Sequence, residues 1–233
     1  VWWQGRVAAP MVPLSLFRQR TFAVANLLTF ALYFALAGAL FFLPLSLLEG
    51  RGWAATAAGS VFLPFTLAMA VVSPLAGRAM DRLGARPLLV VGPLVAAGSF
   101  FWLAQVVPGV ERVWALAPAM GLLGVGMGLA IPPLSAAVLN DAGEARSGIA
   151  SGINNAVARV AGLFAIAVLG VLASALFAAA GLPGVGFAAE AAGVDDADRA
   201  AAVLYAFQGV TLFCCAMAVV GGVLALALPS LSR

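Results

Sequence analysis

The sequence predicts an all-α integral membrane protein, a six-helix transmembrane bundle. Of its 233 residues, 64% are hydrophobic and only 9% are charged, whereas soluble domains carry about 25% charged residues. Mean hydropathy is +1.10, so lipid rather than water is the expected solvent for most of the surface. Charge-free apolar runs of membrane-crossing length recur along the chain, separated by short segments that carry the charges.

Six apolar runs reach the length of about 20 residues that a helix needs to cross the hydrocarbon core. The predicted spans are 22–48, 55–77, 88–107, 114–139, 149–180 and 201–228. Backbone polar groups in lipid must be satisfied within the segment, so these runs are predicted to be helices. We expect spans one to three and four to six to form two inverted three-helix repeats.

The arginines orient the spans. If six spans alternate, eight arginines fall on one side of the membrane and three on the other. The first set is Arg6, Arg18, Arg20, Arg78, Arg82, Arg86, Arg146 and Arg233, and the second is Arg51, Arg112 and Arg199. The positive-inside rule places the first set in the cytoplasm. Residues 1–21 are then a cytoplasmic juxtamembrane segment, 181–200 an extracytoplasmic loop and 229–233 a cytoplasmic tail of a multi-pass protein in the inner (cytoplasmic) cell membrane.

Composition also excludes several kinds of chemistry. The chain has no histidine, which removes Ser-His and Cys-His hydrolases and His-ligated metal or haem. The two cysteines, Cys214 and Cys215, are adjacent in an apolar run and are interpreted as packing residues. The arginines are dispersed among the connections, which does not favour a nucleic-acid partner. We therefore expect no metal site, no cofactor and no nucleic acid.

A glycine-bounded cluster of charge separates the second span from the third. Its pattern, Gly77-x-x-x-Asp81-Arg82-x-Gly84-x-Arg86, resembles the cytoplasmic loop signature of the major facilitator superfamily, which joins the second and third helices of each six-helix half. The resemblance implies that Gly77, Arg78, Asp81, Arg82, Gly84 and Arg86 form a latch for one alternating-access state. The alternative is ordinary cytoplasmic charge with a helix cap.

Three further segments resemble one branch of that superfamily, the fourteen-span drug:proton antiporters. Residues 14–22 resemble the entry to the C-terminal bundle, 124–133 its fourth helix and 148–155 the start of its penultimate helix. The chain departs from the branch at Ala158-Arg159, where Arg-Gln is common, and at Ala161, where glycine is common. The resemblance covers about residues 12–228 and implies half of a major facilitator fold, with a missing N-terminal bundle of the same protein as its partner.

Polar side chains within the spans are candidates for a substrate cavity. Arg159 is the only charged residue well inside a predicted span, which makes it a functional candidate. Ser151 and Asn155 precede it at helical spacing, beside Asn154. The alternative for Arg159 is snorkelling towards the headgroups. Asn26, Thr29 and Tyr33 lie close to one face of the first span and line a substrate path or form hydrogen bonds between helices.

No aspartate or glutamate lies inside any predicted span. Because proton antiport needs a titratable group in the pathway, we expect the coupling carboxylate in the missing bundle and no transport by this chain alone. The leading prediction is a secondary active transporter that exports hydrophobic or amphipathic drugs by proton-driven, rocking-bundle alternating access in the lipid bilayer. The alternatives are a metabolite uniporter or symporter on the same scaffold and a six-span scaffold without transport. An enzyme is not expected, since Ser151 has no histidine or aspartate partner within the spans.

Overall fold

The computed structural model describes residues 14–142, 146–182, 186–187 and 194–228. Predictions for 1–13, for the 229–233 tail and for 183–185 and 188–193 of the predicted loop lie outside the described residues. The helices are α1 (Arg20–Arg51), α2 (Ala55–Ser60), α3 (Phe62–Leu83), α4 (Ala85–Val106), α5 (Ala117–Ala142), α6 (Ser147–Ala179) and α7 (Asp196–Leu226). Short 3-10 helices cover Leu14–Arg18, Val107–Gly109 and Val113–Leu116.

Within these ranges, six helical stretches are long and apolar enough to cross a membrane. They are α1, the α2–α3 pair taken together, α4, α5, α6 and α7. No residue in the described ranges forms a strand. The prediction of an all-α, six-helix membrane bundle is confirmed.

Several helices are longer than the predicted spans, because a helix ends at a stop signal rather than at the edge of the hydrocarbon. The first span was predicted to end at residue 48, but α1 continues to Arg51 and stops at Gly52, whose φ of 64° is left-handed. The second was predicted to end at 77, but α3 continues to Leu83, before Gly84. The last helix begins at Asp196, inside the predicted 181–200 loop, with acidic residues in its first turn, where the helix dipole favours them.

The second span has an irregular turn near its start, although Val61 keeps helical backbone angles of φ −58° and ψ −25°. Helix α2 ends at Ser60, and α3 begins at Phe62. Pro64 has no N–H to donate to the carbonyl of Ser60, four residues earlier, and its ring crowds that carbonyl. The sequence analysis treated 55–77 as one continuous helix and did not anticipate this irregular turn.

The packing has the symmetry expected of two three-helix repeats. Helix α1, the first of its repeat, packs most extensively on α7, the last of the other repeat, and α5 packs in the same way on α4. Likewise α3 packs on α5, and its counterpart α6 packs on α1. The same pairs of helices therefore remain in contact when the first, second and third spans are exchanged with the fourth, fifth and sixth.

The same contacts define two layers. Helices α4 and α7 pack on each other behind a row of four in the order α3, α5, α1, α6. The ends of the row are the least covered helices, since Ala76 is the only buried residue of α3. An ion pair links the start of α7 to the end of α1, and a hydrogen bond links the start of α4 to the end of α7, so α1 and α4 both run antiparallel to α7.

Glycines bring α5 into close contact with both neighbours. A Cβ built on Gly124 would lie 2.3 Å from the carbonyl oxygen of Phe65 in α3, and one on Gly126 would lie 2.6 Å from the backbone nitrogen of Ala96 in α4. In contrast, a Cβ on Gly121 would meet no atom within 4 Å. Small residues allow such backbone approach between membrane helices, so these glycines hold α5 close to α3 in the same row and to α4 in the layer behind.

Candidate functional site

The polar candidates of the first and fifth spans lie on neighbouring helices, α1 and α6. The Thr29 side chain is fully buried and its Oγ1 lies 2.7 Å from Oδ1 of Asn154. Eight residues further along both helices, a Cβ on Gly162 would lie 3.6 Å from the Cβ of Ala37. The two helices therefore run parallel over this region, and the contact between Thr29 and Asn154 ties them together.

The Thr29 hydroxyl has two potential acceptors and one proton. Its Oγ1 also lies 2.9 Å from the carbonyl oxygen of Ala25, one turn earlier. A hydroxyl donates once and can accept as well. Rotating the Asn154 amide by 180° presents its Nδ2 to Oγ1, so that Thr29 donates to Ala25 and accepts from Asn154, and both contacts are satisfied.

Asn26 is buried one turn before Thr29 and is only half satisfied. Its side chain is 4% exposed, and its Nδ2 donates to the carbonyl oxygen of Phe22 over 2.9 Å. Its Oδ1 is buried without a hydrogen-bond partner among the described residues. Leaving a buried acceptor unsatisfied costs about 1–3 kcal/mol. This oxygen is thus an unpaired acceptor enclosed within the described part of the bundle.

The remaining candidates take no part in the hydrogen bond between Thr29 and Asn154. Tyr33 and Ser151 are half-buried, whereas Asn155 and Arg159 are exposed. Ser151, Asn155 and Arg159 follow each other at intervals of four, so they form one stripe along α6. Arg159 has no ion-pair partner in the described part of the chain. The structure thus divides the candidates into an interhelix contact and an outward polar stripe.

The carboxylates lie away from this region. Among the described residues, each one lies in a connection or within the first or last three residues of a helix. They are Glu49, Asp81, Glu111, Asp141, Asp195, Asp196 and Asp198. The membrane-embedded portions of these helices therefore carry one formal charge, that of Arg159.

The predicted latch loop is mostly helix. Gly77, Arg78, Asp81 and Arg82 belong to α3, and only Gly84 separates α3 from α4. Gly84 has φ 79°, a left-handed conformation that favours glycine. Arginine, methionine and leucine are good helix formers, which explains why α3 continues through the charged stretch. A Cβ on Gly77 would meet no atom within 4 Å, so Gly77 makes no close helix contact in the described chain.

Within this cluster, Arg86 has a defined partner. Its guanidinium donates to the carbonyl oxygen of Leu226 over 2.7 Å, at the C-terminal end of α7. A cation there satisfies a free carbonyl and complements the negative end of the helix dipole. Arg78, Asp81 and Arg82 have exposed side chains on the last turns of α3. Arg86 therefore joins the predicted latch residues to the last helix of the same bundle.

Sequence analysis missed a second polar cluster, at the opposite end of the bundle. The Arg199 guanidinium lies 2.9 Å from Oε2 of Glu49 and donates to the carbonyl oxygen of Phe187 over 3.2 Å. Arg51 donates to the carbonyl oxygens of Pro108 and Val110. Glu49 and Arg199 are 150 residues apart, and no local pattern pairs them.

Comparisons with known proteins agree with this architecture. The family model of the Major Facilitator Superfamily matches residues 4–166. The multidrug transporter protein MdtP of Bacillus subtilis is 27% identical over 172 residues, which are 74% of this chain and 32% of that protein. The multidrug resistance protein Stp of Mycobacterium tuberculosis is 32% identical over 180 residues, which are 77% of this chain and 33% of Stp.

A third relative is described as an exporter. The tetracenomycin C resistance and export protein of Streptomyces glaucescens is 29% identical in an alignment of 212 positions that covers 86% of this chain and 38% of that protein. The chain thus spans about a third of the length of the relatives it matches. From the family match and the six membrane-length helices, the chain belongs to the Major Facilitator Superfamily and is a multi-pass membrane protein.

Proposed function

We propose that this chain is the C-terminal six-helix half of a proton-driven exporter of hydrophobic or amphipathic small molecules, of the fourteen-span drug:proton antiporter kind. The names of its relatives, two multidrug proteins and an antibiotic export protein, support the substrate class. The coverage of about a third of each relative supports the view that a further bundle completes the transporter.

The observation that carries the proposal is the polar stripe on α6. A charge deep in a membrane helix is costly and is retained where it meets a substrate, an ion pathway or a countercharge. Arg159 lies twelve residues beyond the start of α6, about 18 Å along a helix of about 50 Å. Its side chain is exposed, and α6 is the last helix in the row of four. In the proposed transporter this face lines the cavity, where Arg159 binds an anionic group of the substrate or a carboxylate of the other half.

Ser151 and Asn155 extend the polar lining along the same stripe, and Tyr33 lies on the neighbouring helix. Thr29 and Asn154 hold α1 and α6 in register behind it, and Asn26 lies one turn before Thr29 on α1. Since the described spans carry no carboxylate, the proton-coupling group belongs to the other half. Asp81, with the arginines around it, latches one conformation on the cytoplasmic side, and both ends of the chain lie in the cytoplasm.

Efflux from vesicles tests the proposal. The full-length protein, its Asp81→Asn and Arg159→Gln variants and this chain alone are compared for export of a fluorescent lipophilic cation under an imposed proton gradient. Arg112→Gln, an exposed arginine in the connection before α5, is the matched control. We expect efflux that collapses with the gradient, falls in the first two variants, persists in the control and is absent for this chain alone.

Three outcomes contradict the proposal. Efflux by this chain alone would place the coupling group within the six described spans. Gradient-independent movement of a polar metabolite, with no efflux of the dye, would favour a uniporter on the same scaffold. Folded full-length protein that moves neither compound would favour a scaffold without transport.

A further inference from the structure

An apolar groove runs along α6 on its side next to Phe30 of α1. It has a volume of about 440 Å³ and is lined by Phe30 and by six residues of α6 between Ile149 and Val160. None of the lining side chains contains a polar atom. One of them is Gly152, where an added Cβ would meet nothing within 4 Å. The groove is distinct from the polar stripe of Ser151, Asn155 and Arg159.

The dimensions of the groove match one leaflet of a bilayer. Ile149 and Val160 are eleven residues apart, which corresponds to about 16 Å along a helix. Half of a hydrocarbon core of about 30 Å is about 15 Å. At its deep end, Phe30 contacts Phe164 with ring centroids 6.2 Å apart. The groove thus extends from the beginning of α6 to about the middle of the membrane.

The open end of the groove lies at the same depth in the membrane as three arginines. Thr29 and Asn154, which contact each other, follow the starts of α1 and α6 by nine and seven residues, so the two starts differ in depth by only about 3 Å. Arg18 and Arg20 stand at the start of α1, and Arg146 precedes α6.

All three arginine side chains at this depth are exposed, and none has a hydrogen-bond or ion-pair partner among the described residues. A leaflet-deep apolar groove that opens at the depth of exposed positive charge has the chemistry of an anionic phospholipid site.

We propose that the groove between α1 and α6 binds an anionic phospholipid of the adjoining leaflet. One acyl chain lies along Phe30 and the apolar side of α6, and the headgroup phosphate is bound by Arg18, Arg20 and Arg146. The apolar contacts bind the acyl chain of any phospholipid, and the guanidinium groups select a negative headgroup. The site does not depend on the proposed export activity.

Native mass spectrometry of the purified full-length protein tests the site. Delipidated protein is titrated with phosphatidylglycerol and with phosphatidylcholine of the same acyl chains. Tighter retention of phosphatidylglycerol is expected. An arginine near a membrane surface contributes about a fivefold preference for anionic lipid. The triple variant Arg18→Gln, Arg20→Gln, Arg146→Gln is therefore expected to reduce that preference at least tenfold, whereas Arg112→Gln leaves it unchanged.

Two glycines of α6 provide a matched pair for the groove itself. A Cβ meets no atom within 4 Å at Gly152 or at Gly170, but only Gly152 lines the groove. Gly152→Leu should fill the groove and weaken binding of both lipids, while Gly170→Leu should not. Equal melting temperatures of the two variants would show that the loss is local. Equal phosphatidylglycerol binding by both variants would overturn the proposal.

A photocrosslink identifies the occupant directly. Benzoylphenylalanine at Ala156, in the middle of the groove, is irradiated in vesicles that contain phosphatidylglycerol. A mass increase of one phospholipid supports the proposal. A crosslink to another segment of polypeptide, or to an added drug in competition with lipid, would overturn it, because the groove would then be an intramolecular interface or a substrate path.

Discussion

Replacing Gly124 with alanine tests the close packing of α5 directly. The new Cβ would lie 2.3 Å from the carbonyl oxygen of Phe65 and 2.9 Å from the Cβ of Ala68. The first distance is at least about 1 Å shorter than an ordinary van der Waals separation. The obstructing atom belongs to the backbone of α3, so no rotamer change relieves the clash and the helices must separate. Overpacking of this kind costs about 1–3 kcal/mol.

Gly121→Ala is the control on the same helix, because a Cβ there meets nothing within 4 Å. Alanine is favoured over glycine in a helix by up to about 1 kcal/mol, so this variant should be as stable as the parent or more stable. At roughly 2–4 °C per kcal/mol for a chain of this size, Gly124→Ala should melt about 2–12 °C lower. Thermal unfolding in detergent can be followed with a thiol-reactive dye, since unfolding exposes the fully buried Cys214. Equal melting temperatures for the two variants would refute the packing argument.

Three further predictions follow from the polar contacts. In a double-mutant cycle of Thr29→Val and Asn154→Ala, we expect a coupling free energy of about 0.6 kcal/mol, typical of hydrogen bonds between membrane helices. Additive shifts in melting temperature would show that the two side chains do not stabilise each other. Arg86→Gln should lower stability by about 0.3–1 kcal/mol through loss of the cap on α7, measured against Arg82→Gln, which should change it less. Arg159→Gln should reduce efflux at least tenfold. The melting temperature should stay equal or rise, since the substitution removes a charge that is costly in the membrane. A large drop in melting temperature would instead indicate a structural role for Arg159.

Hydropathy was sufficient to predict the number and nature of the spans, because lipid imposes both helical structure and a minimum length. It could not predict where each helix ends. Helix α3 continues six residues past the predicted end at Gly77, since the charged residues that follow are compatible with helix and the first strong stop is Gly84. The irregular turn before Phe62 depends on a backbone hydrogen bond that Pro64 cannot make, which no hydropathy average detects.

For the candidate site, sequence reasoning selected residues but not their partners. Periodicity grouped Asn26, Thr29 and Tyr33 on one side of α1, yet only the folded bundle shows that Thr29 contacts Asn154. The hydrogen bond from Arg86 to Leu226 joins residues 140 positions apart. Such pairs are set by the arrangement of helices and leave no local pattern in the chain.

The packing of helices of one repeat on helices of the other has a consequence for biogenesis. Helix α1 packs most extensively on α7, whose last residue follows the end of α1 by about 175 residues. At about 5–20 residues per second of synthesis, the ribosome needs roughly 9–35 seconds to supply that partner. During this interval the small and polar residues of α1 have to be accommodated by lipid or by the insertion machinery. A nascent chain that stops before α7 would leave α1 without its largest packing surface, which makes the last helix the step that commits the whole bundle to its native assembly.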